Sequence, residues 1–141
     1  MSYYSFDTPG RVEFYDCDPM GMVWHGNYLK YLEMARSRFF DLAGYSYSEI
    51  YRDGYTFPVV DLKLRYSSSL RMGDEFTVTT DLEEYENRVV LSFVIRCRSR
   101  ICLKARSVQV CLPSGSSELS FTMPKNFTDR INLLLTGNTG N

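Results

Sequence analysis

Histidine and tryptophan each occur once in this chain, no two of its cysteines form a CxxC pair, no apolar run reaches membrane length, and neither charge predominates. Each scarcity excludes something. Sixteen basic against seventeen acidic residues leave a formal charge of -1, so no bulk field draws nucleic acid or another polyanion. Local basic residues could still meet a small phosphorylated ligand. A bilayer span needs about eighteen consecutive apolar residues, and none is present. The opening stretch "MSYYSFDTPGRVEF" has no basic start followed by an apolar run, and the expected location is the cytosol. Cys17, Cys97, Cys102 and Cys111 sit mostly within strand-like runs. They read as buried free thiols rather than a disulfide framework or a zinc site.

What is abundant is apolar and aromatic: 44% and 15% of 141 residues, enough to build the core of one domain. The expected organisation is one domain over 1–141, with its core over about 10–130 and a frayed tail at 136–141. Arg11 to Tyr15 alternates as a short strand. From Asn27, a candidate N-cap, Tyr28, Leu32, Ala35, Phe39 and Leu42 fall three or four apart, which predicts a long helix stopped by Gly44. "YSYSEIYRDG" adds a short helical turn. The period then becomes two: Val60 to Tyr66, Phe76 to Leu82, Val89 to Cys97, and a strand from Ile101 whose apolar phase slips at Val108, suggesting a β-bulge. "FTMPKNFTDRINLLL" predicts a short terminal helix. Short connections imply an antiparallel sheet, and one long apolar helix must bury its stripe against it.

The densest chemistry lies in "YDCDPMGMVWHGNYLKYLEMAR", Tyr15 to Arg36. It gathers Asp16, Asp18, His25 and two glycines just ahead of the helix. A helix N-terminus offers unpaired amides and a positive dipole end to developing negative charge. Gly21 and Gly26 allow close backbone approach. A carboxylate there can act at neutral pH as nucleophile or as base toward water. A thioester suits this equipment because its leaving thiol has a pKa of about 8.5 and departs with little acid assistance. The plainer reading makes the aspartates turn residues, Asn27 a cap, His25 a hydrogen-bonding residue and Trp24 part of a core or interface. Cys17, between acids, is no reactive thiolate. Asp16, Asp18, His25 and Glu33 lack a recurring ligand spacing, so neither metal nor cofactor is expected.

At these residues the sequence resembles the hotdog-fold thioesterases of the 4-hydroxybenzoyl-CoA thioesterase family, including the acyl-CoA thioesterases associated with the bacterial Tol-Pal system. The likeness is densest over "VEFYDCDPMGMVWHGNYLKYLEMAR" and looser, in strand order, over about 10–130. It implies an α+β hotdog fold in which a five-stranded antiparallel sheet wraps one long helix, and homodimers that assemble into homotetramers. It implies that Asp18, the second aspartate of Asp-x-Asp, is the catalytic carboxylate and that His25 offers its main-chain N–H to the thioester carbonyl, with a role for the imidazole left open. Asp16 and Tyr28 would support the loop and the helix start. Val23, Trp24, Gly26 and Tyr28 would meet substrate from this loop, Phe57, Pro58 and Val59 from a partner protomer, and Arg88 would meet phosphate. The implied substrate is an acyl-CoA or acyl-carrier-protein thioester. Trp24 resembles the hydroxybenzoyl enzymes and His25 the short-chain acyl enzymes. A non-hydrolytic thioester-binding scaffold, and an acyl-thioester hydratase or dehydratase using His25 as base, are the rival readings on the same fold.

Overall fold

A computed structural model of the chain describes residues 2–137. Strand β1 (Tyr4–Arg11) leads through a single 3-10 turn at Phe14–Asp16 and a second at His25–Asn27 into helix α1 (Tyr28–Leu42). Helix α2 (Tyr47–Arg52), the two-residue strand β2 (Tyr55–Thr56) and strands β3 (Val59–Tyr66), β4 (Glu75–Glu84), β5 (Val89–Cys97) and β6 (Arg100–Gln109) follow. A short strand β7 (Leu112–Pro113) and helix α3 (Lys125–Leu135) complete the order. The main sheet is antiparallel throughout, in the order β1-β4-β5-β6-β3, and β2 pairs with β7. This is the α+β hotdog arrangement the sequence resemblance implies.

The 3.6-residue period of α1 places Tyr28, Tyr31, Leu32, Ala35, Phe39 and Phe40 on one buried stripe. It packs on the sheet residues Phe76, Val78, Leu82, Leu91, Phe93, Ile95 and Leu103 within one core cluster. The helix stops as the sequence indicates: Gly44 adopts φ +72°, and the Tyr45 amide returns to the Phe40 carbonyl at 2.9 Å. Helix α3 adds Phe127, Ile131 and Leu134 to the same core, with Phe127 lying 5.5 Å from Phe57 and 6.0 Å from Phe40, ring centre to ring centre.

Three expectations change. The first strand lies at Tyr4–Arg11 rather than Arg11 to Tyr15, because the chain turns after Val12: the Asp16 carboxylate accepts from the Glu13 amide at 3.1 Å and closes a 3-10 turn. Asn27 is not a side-chain cap. It is helical in conformation, and its Nδ2 instead donates to the Asp16 carbonyl at 2.8 Å. The phase slip in β6 has a different origin from a bulge at Val108. Ser107 and Gln109 hold the inward positions because they bond the buried Arg36. A register shift does fall opposite Val108 and Gln109, but its extra residue is Val60 of the neighbouring β3; the others lie next to Glu83 in β4 and Cys102 in β6.

Cys97, Cys102 and Cys111 are buried free thiols, and Cys17 is half-buried. Thr136 and Gly137 continue α3 as a turn, and the rest of the expected tail, 138–141, lies outside the described residues. Among the described residues no helix is long and apolar enough to cross a membrane.

Candidate active site at the start of α1

Asp16 is the anchor of the loop. It is 2% exposed, accepts from the Tyr31 hydroxyl at 2.8 Å and from the Glu13 amide, and pairs with the half-exposed Lys30. Its carbonyl takes the Trp24 amide at 3.2 Å as well as Asn27. Burial alone would raise the Asp16 pKa, yet the bonds from Lys30, Glu13 and Tyr31 outweigh it and hold the carboxyl below its usual range. The same environment, burial first and the Asp16 bond second, pushes the Tyr31 phenol up.

Asp18 is held differently. Its Oδ1 accepts from the amides of Met20 at 2.9 Å and Met22 at 3.2 Å, while its own amide donates to the Met22 carbonyl at 2.8 Å. Gly21, at φ +78°, makes this tight reversal possible. Oδ2 has no hydrogen-bond partner among the described residues. The carboxylate is therefore oriented through one oxygen and available through the other. Burial, then the charges of Asp16 and Asp18, push the Cys17 thiol up, which keeps it protonated and unreactive.

His25 opens the 3-10 turn that runs into α1, with its ring exposed and 4.9 Å from the Trp24 ring. Its carbonyl accepts from the Tyr28 amide and, at 3.1 Å, from the Tyr66 hydroxyl. The amides of His25 and Gly26 donate to no backbone acceptor among the described residues. Trp24 lies over Gly26 so closely that a β-carbon built there would fall within the indole ring. Tyr28 is buried, and its hydroxyl accepts from the Leu70 amide at 2.9 Å while Val23 donates to the Leu70 carbonyl at 3.0 Å. These bonds fix the loop to the segment that follows β3.

A depression of about 280 Å³ opens at this point, lined by Val23, His25, Tyr28, Tyr66 and Ser67 to Ser69. It brings together three of the loop residues singled out in the sequence and adds a wall that sequence reasoning missed. The serine run after a predicted strand was the available signal. Phe57 and Pro58 instead line a second cavity of about 270 Å³ with Tyr47, Ile50, Tyr51, Tyr55 and Thr56. Val59 begins β3 beside it. Arg88 lies in neither cavity, and its Nε pairs with Glu84 at 2.9 Å. Among the described residues no group of three or more His, Cys, Asp or Glu side chains could hold a metal ion.

The thioesterase-like superfamily matches residues 12–131, a span that contains both the loop and the sheet. The chain belongs to this superfamily. It is 30% identical over 108 residues to a putative acyl-CoA thioesterase, YneP, of Bacillus subtilis, covering 75% of this chain and 78% of that protein. It is 30% identical over 112 residues to 4-hydroxybenzoyl-CoA thioesterase of Pseudomonas, covering 77% and 71%. Among solved structures, a DHNA-CoA thioesterase of Staphylococcus aureus superposes with a TM-score of 0.83 over 97% of this chain and 95% of its own, at 22% identity. That likeness speaks for the fold. The superfamily membership and the loop geometry together define where chemistry is to be sought.

Proposed function

We propose that the chain is an acyl-CoA thioesterase in which Asp18 attacks the thioester carbonyl, or activates a water that does, while the His25 and Gly26 amides receive the oxyanion. The observation that carries this reading is a pairing within one loop: a carboxylate oriented through Oδ1 with Oδ2 unengaged, and two uncommitted amides at the start of α1. A donor of this kind contributes roughly 3 kcal/mol to the transition state. Attack by Oδ2 would give a mixed anhydride and release the thiolate, and water would then return the free acid. The general-base route needs the same carboxylate.

The proposed working form is a cytosolic homodimer that assembles into a homotetramer. Strand β3 is an edge strand of the sheet and exposes Val59, Val60, Leu62 and Tyr66, an apolar edge that invites pairing with a second copy. Antiparallel pairing of β3 with its own copy sets the Val59 end of one strand against the Tyr66 end of the other. Phe57, Pro58 and Val59 of one protomer would then reach the depression beside His25 of its partner. The two small cavities become parts of one acyl site.

The test is thiol release from benzoyl, hydroxybenzoyl and short to long aliphatic acyl-CoAs by the wild type and by Asp18→Asn. Asparagine preserves the Oδ1 acceptor and so the loop, and turnover should fall by at least about a hundredfold. An Asp18→Asn variant that turns over normally removes the assignment. Wild-type protein that binds CoA and hydrolyses none of the panel would favour the scaffold reading.

A further inference from the structure

The outer face of the sheet, opposite α1, carries charge in an ordered way. Two rows of directly paired residues cross it. One runs Ser5, Asp81, Ser92, Arg106, Lys63 and the other Asp7, Thr79, Val94, Lys104, Arg65, from β1 through β4, β5 and β6 to β3. Acids stand on the β1 and β4 side and four cations on the β6 and β3 side. Lys63 is directly opposite Arg106, and Arg65 opposite Lys104. Like charges so placed repel, and each pair disfavours the sheet. Arg106 has a distant ion pair to Glu83 at 3.6 Å, whereas Lys63, Arg65 and Lys104 have no acidic partner among the described residues. All four cations are exposed and line a shallow concavity of about 630 Å³ with Ser92 and Val94.

We infer that this quartet, Lys63, Arg65, Lys104 and Arg106, is a binding site for a small, multiply charged phosphate group. Paired strand residues stand about 5 Å apart, and next-but-one residues along a strand about 7 Å. The four stems thus frame an area matching a pyrophosphate or a nucleoside bisphosphate. Asp81 and Asp7 on the same rows repel any polyanion long enough to cross the sheet, which disfavours nucleic acid and a flat anionic membrane. The Ser92 hydroxyl adds a neutral donor beside Arg106. Opposed cations that cost stability alone become charge-assisted donors once a phosphate sits between them.

Two sources supply this chemistry: the nucleotide end of a CoA thioester, or a free nucleotide or pyrophosphate acting apart from catalysis. Either source would leave phosphate binding at the quartet measurable without turnover. Thermal unfolding is followed with inorganic pyrophosphate and with adenosine 3′,5′-bisphosphate, for wild type and for Lys63→Gln/Lys104→Gln, whose substitutions lie on the surface and leave the core intact. The expected result is a rise in Tm of the wild type at low ionic strength and an affinity weakened about tenfold or more in the double variant, the loss expected from one or two charge-assisted bonds. A wild type that neither probe stabilises overturns the inference, as does a shift undiminished in the double variant. So does adsorption to phosphatidylserine vesicles that pyrophosphate does not displace. The KM for acyl-CoA against that for the same acyl group on pantetheine, which lacks the nucleotide, separates the sources. A rise in the double variant confined to acyl-CoA assigns the site to the substrate's nucleotide, and no change in either KM, with pyrophosphate binding weakened in that same variant, assigns it to a separate effector.

Discussion

The Tyr66 hydroxyl donates to the His25 carbonyl at 3.1 Å, fastening the last residue of the edge strand β3 to the turn from which α1 begins. The ring also lies 5.3 Å from Tyr28. The orientation of the His25 peptide, and with it the direction of the Gly26 amide, depends on this bond. Tyr66→Phe keeps the ring and removes the donor. Thiol release should fall about fivefold, the equivalent of roughly 1 kcal/mol, with Tm nearly unchanged. Unaltered kinetics would mean that the turn is held without the strand.

Gly26 is bound to its identity by a neighbour. A β-carbon at 26 overlaps the Trp24 ring, so Gly26→Ala must displace the indole or the turn. Loss of most activity is expected for Gly26→Ala, with a loss of about 1 to 3 kcal/mol in stability. Adding Trp24→Leu should restore part of both. Urea unfolding together with thiol release checks this, and a double variant no better than the single one counts against a steric cause.

Asp16 predicts a pH dependence. Its carboxyl pKa is lowered in the folded chain despite burial, because Lys30, Glu13 and Tyr31 favour the charged form. A lowered folded-state value means that the ionised carboxylate stabilises the fold above the unfolded carboxylate pKa, about 3.9, and that this contribution is lost as pH falls through the lower folded value. Asp53 shifts in the same direction, from its bonds to Tyr45 and Asn126. The difference between wild type and Asp16→Asn isolates Asp16. That difference should be largest near neutral pH and shrink in acid, as read from denaturant midpoints between pH 7 and 2. A gap that stays constant would show that the charge is not what stabilises the loop.

Arg36 is 1% exposed on the core face of α1, where Nη1 donates to Ser107 Oγ at 3.0 Å and Gln109 Oε1 at 2.7 Å and Nε meets Glu33 at 3.0 Å. Gln109 Nε2 passes the connection to the Phe57 carbonyl at 2.7 Å. Arg36→Ala leaves the neutral buried acceptors of Ser107 and Gln109 without a donor and should cost about 1 to 3 kcal/mol for each in urea unfolding. Arg36→Ala combined with Gln109→Ala should cost less than the two single losses added.

This network also explains where sequence and structure part. The α1 stripe and strands β4 and β5 were legible because their apolar residues follow a single period. In β6 the inward positions 107 and 109 are polar, and a period built on apolarity shifts to the wrong face there. Strand β1 was illegible for a related reason. Pro9 and Gly10 are residue types that favour turns, yet an edge strand tolerates proline, and Phe76 lies over Gly10 where a β-carbon would clash. The Asp18 and His25 cluster was legible because it is contiguous. Tyr66 and the serines that wall the depression beside His25 are some forty residues away in sequence, and only tertiary folding brings them near.

The stacking of Trp24 on Gly26 has a consequence for descent. Residue 26 cannot change first: a side chain there meets the indole while Trp24 is in place, whereas no such clash holds residue 24. Substitution histories in this lineage should therefore open at 24 before any change at 26, so that the two sites are epistatic and the order of their changes is directional. A library randomised at both positions should recover side chains at 26 only in clones that have already given up the indole.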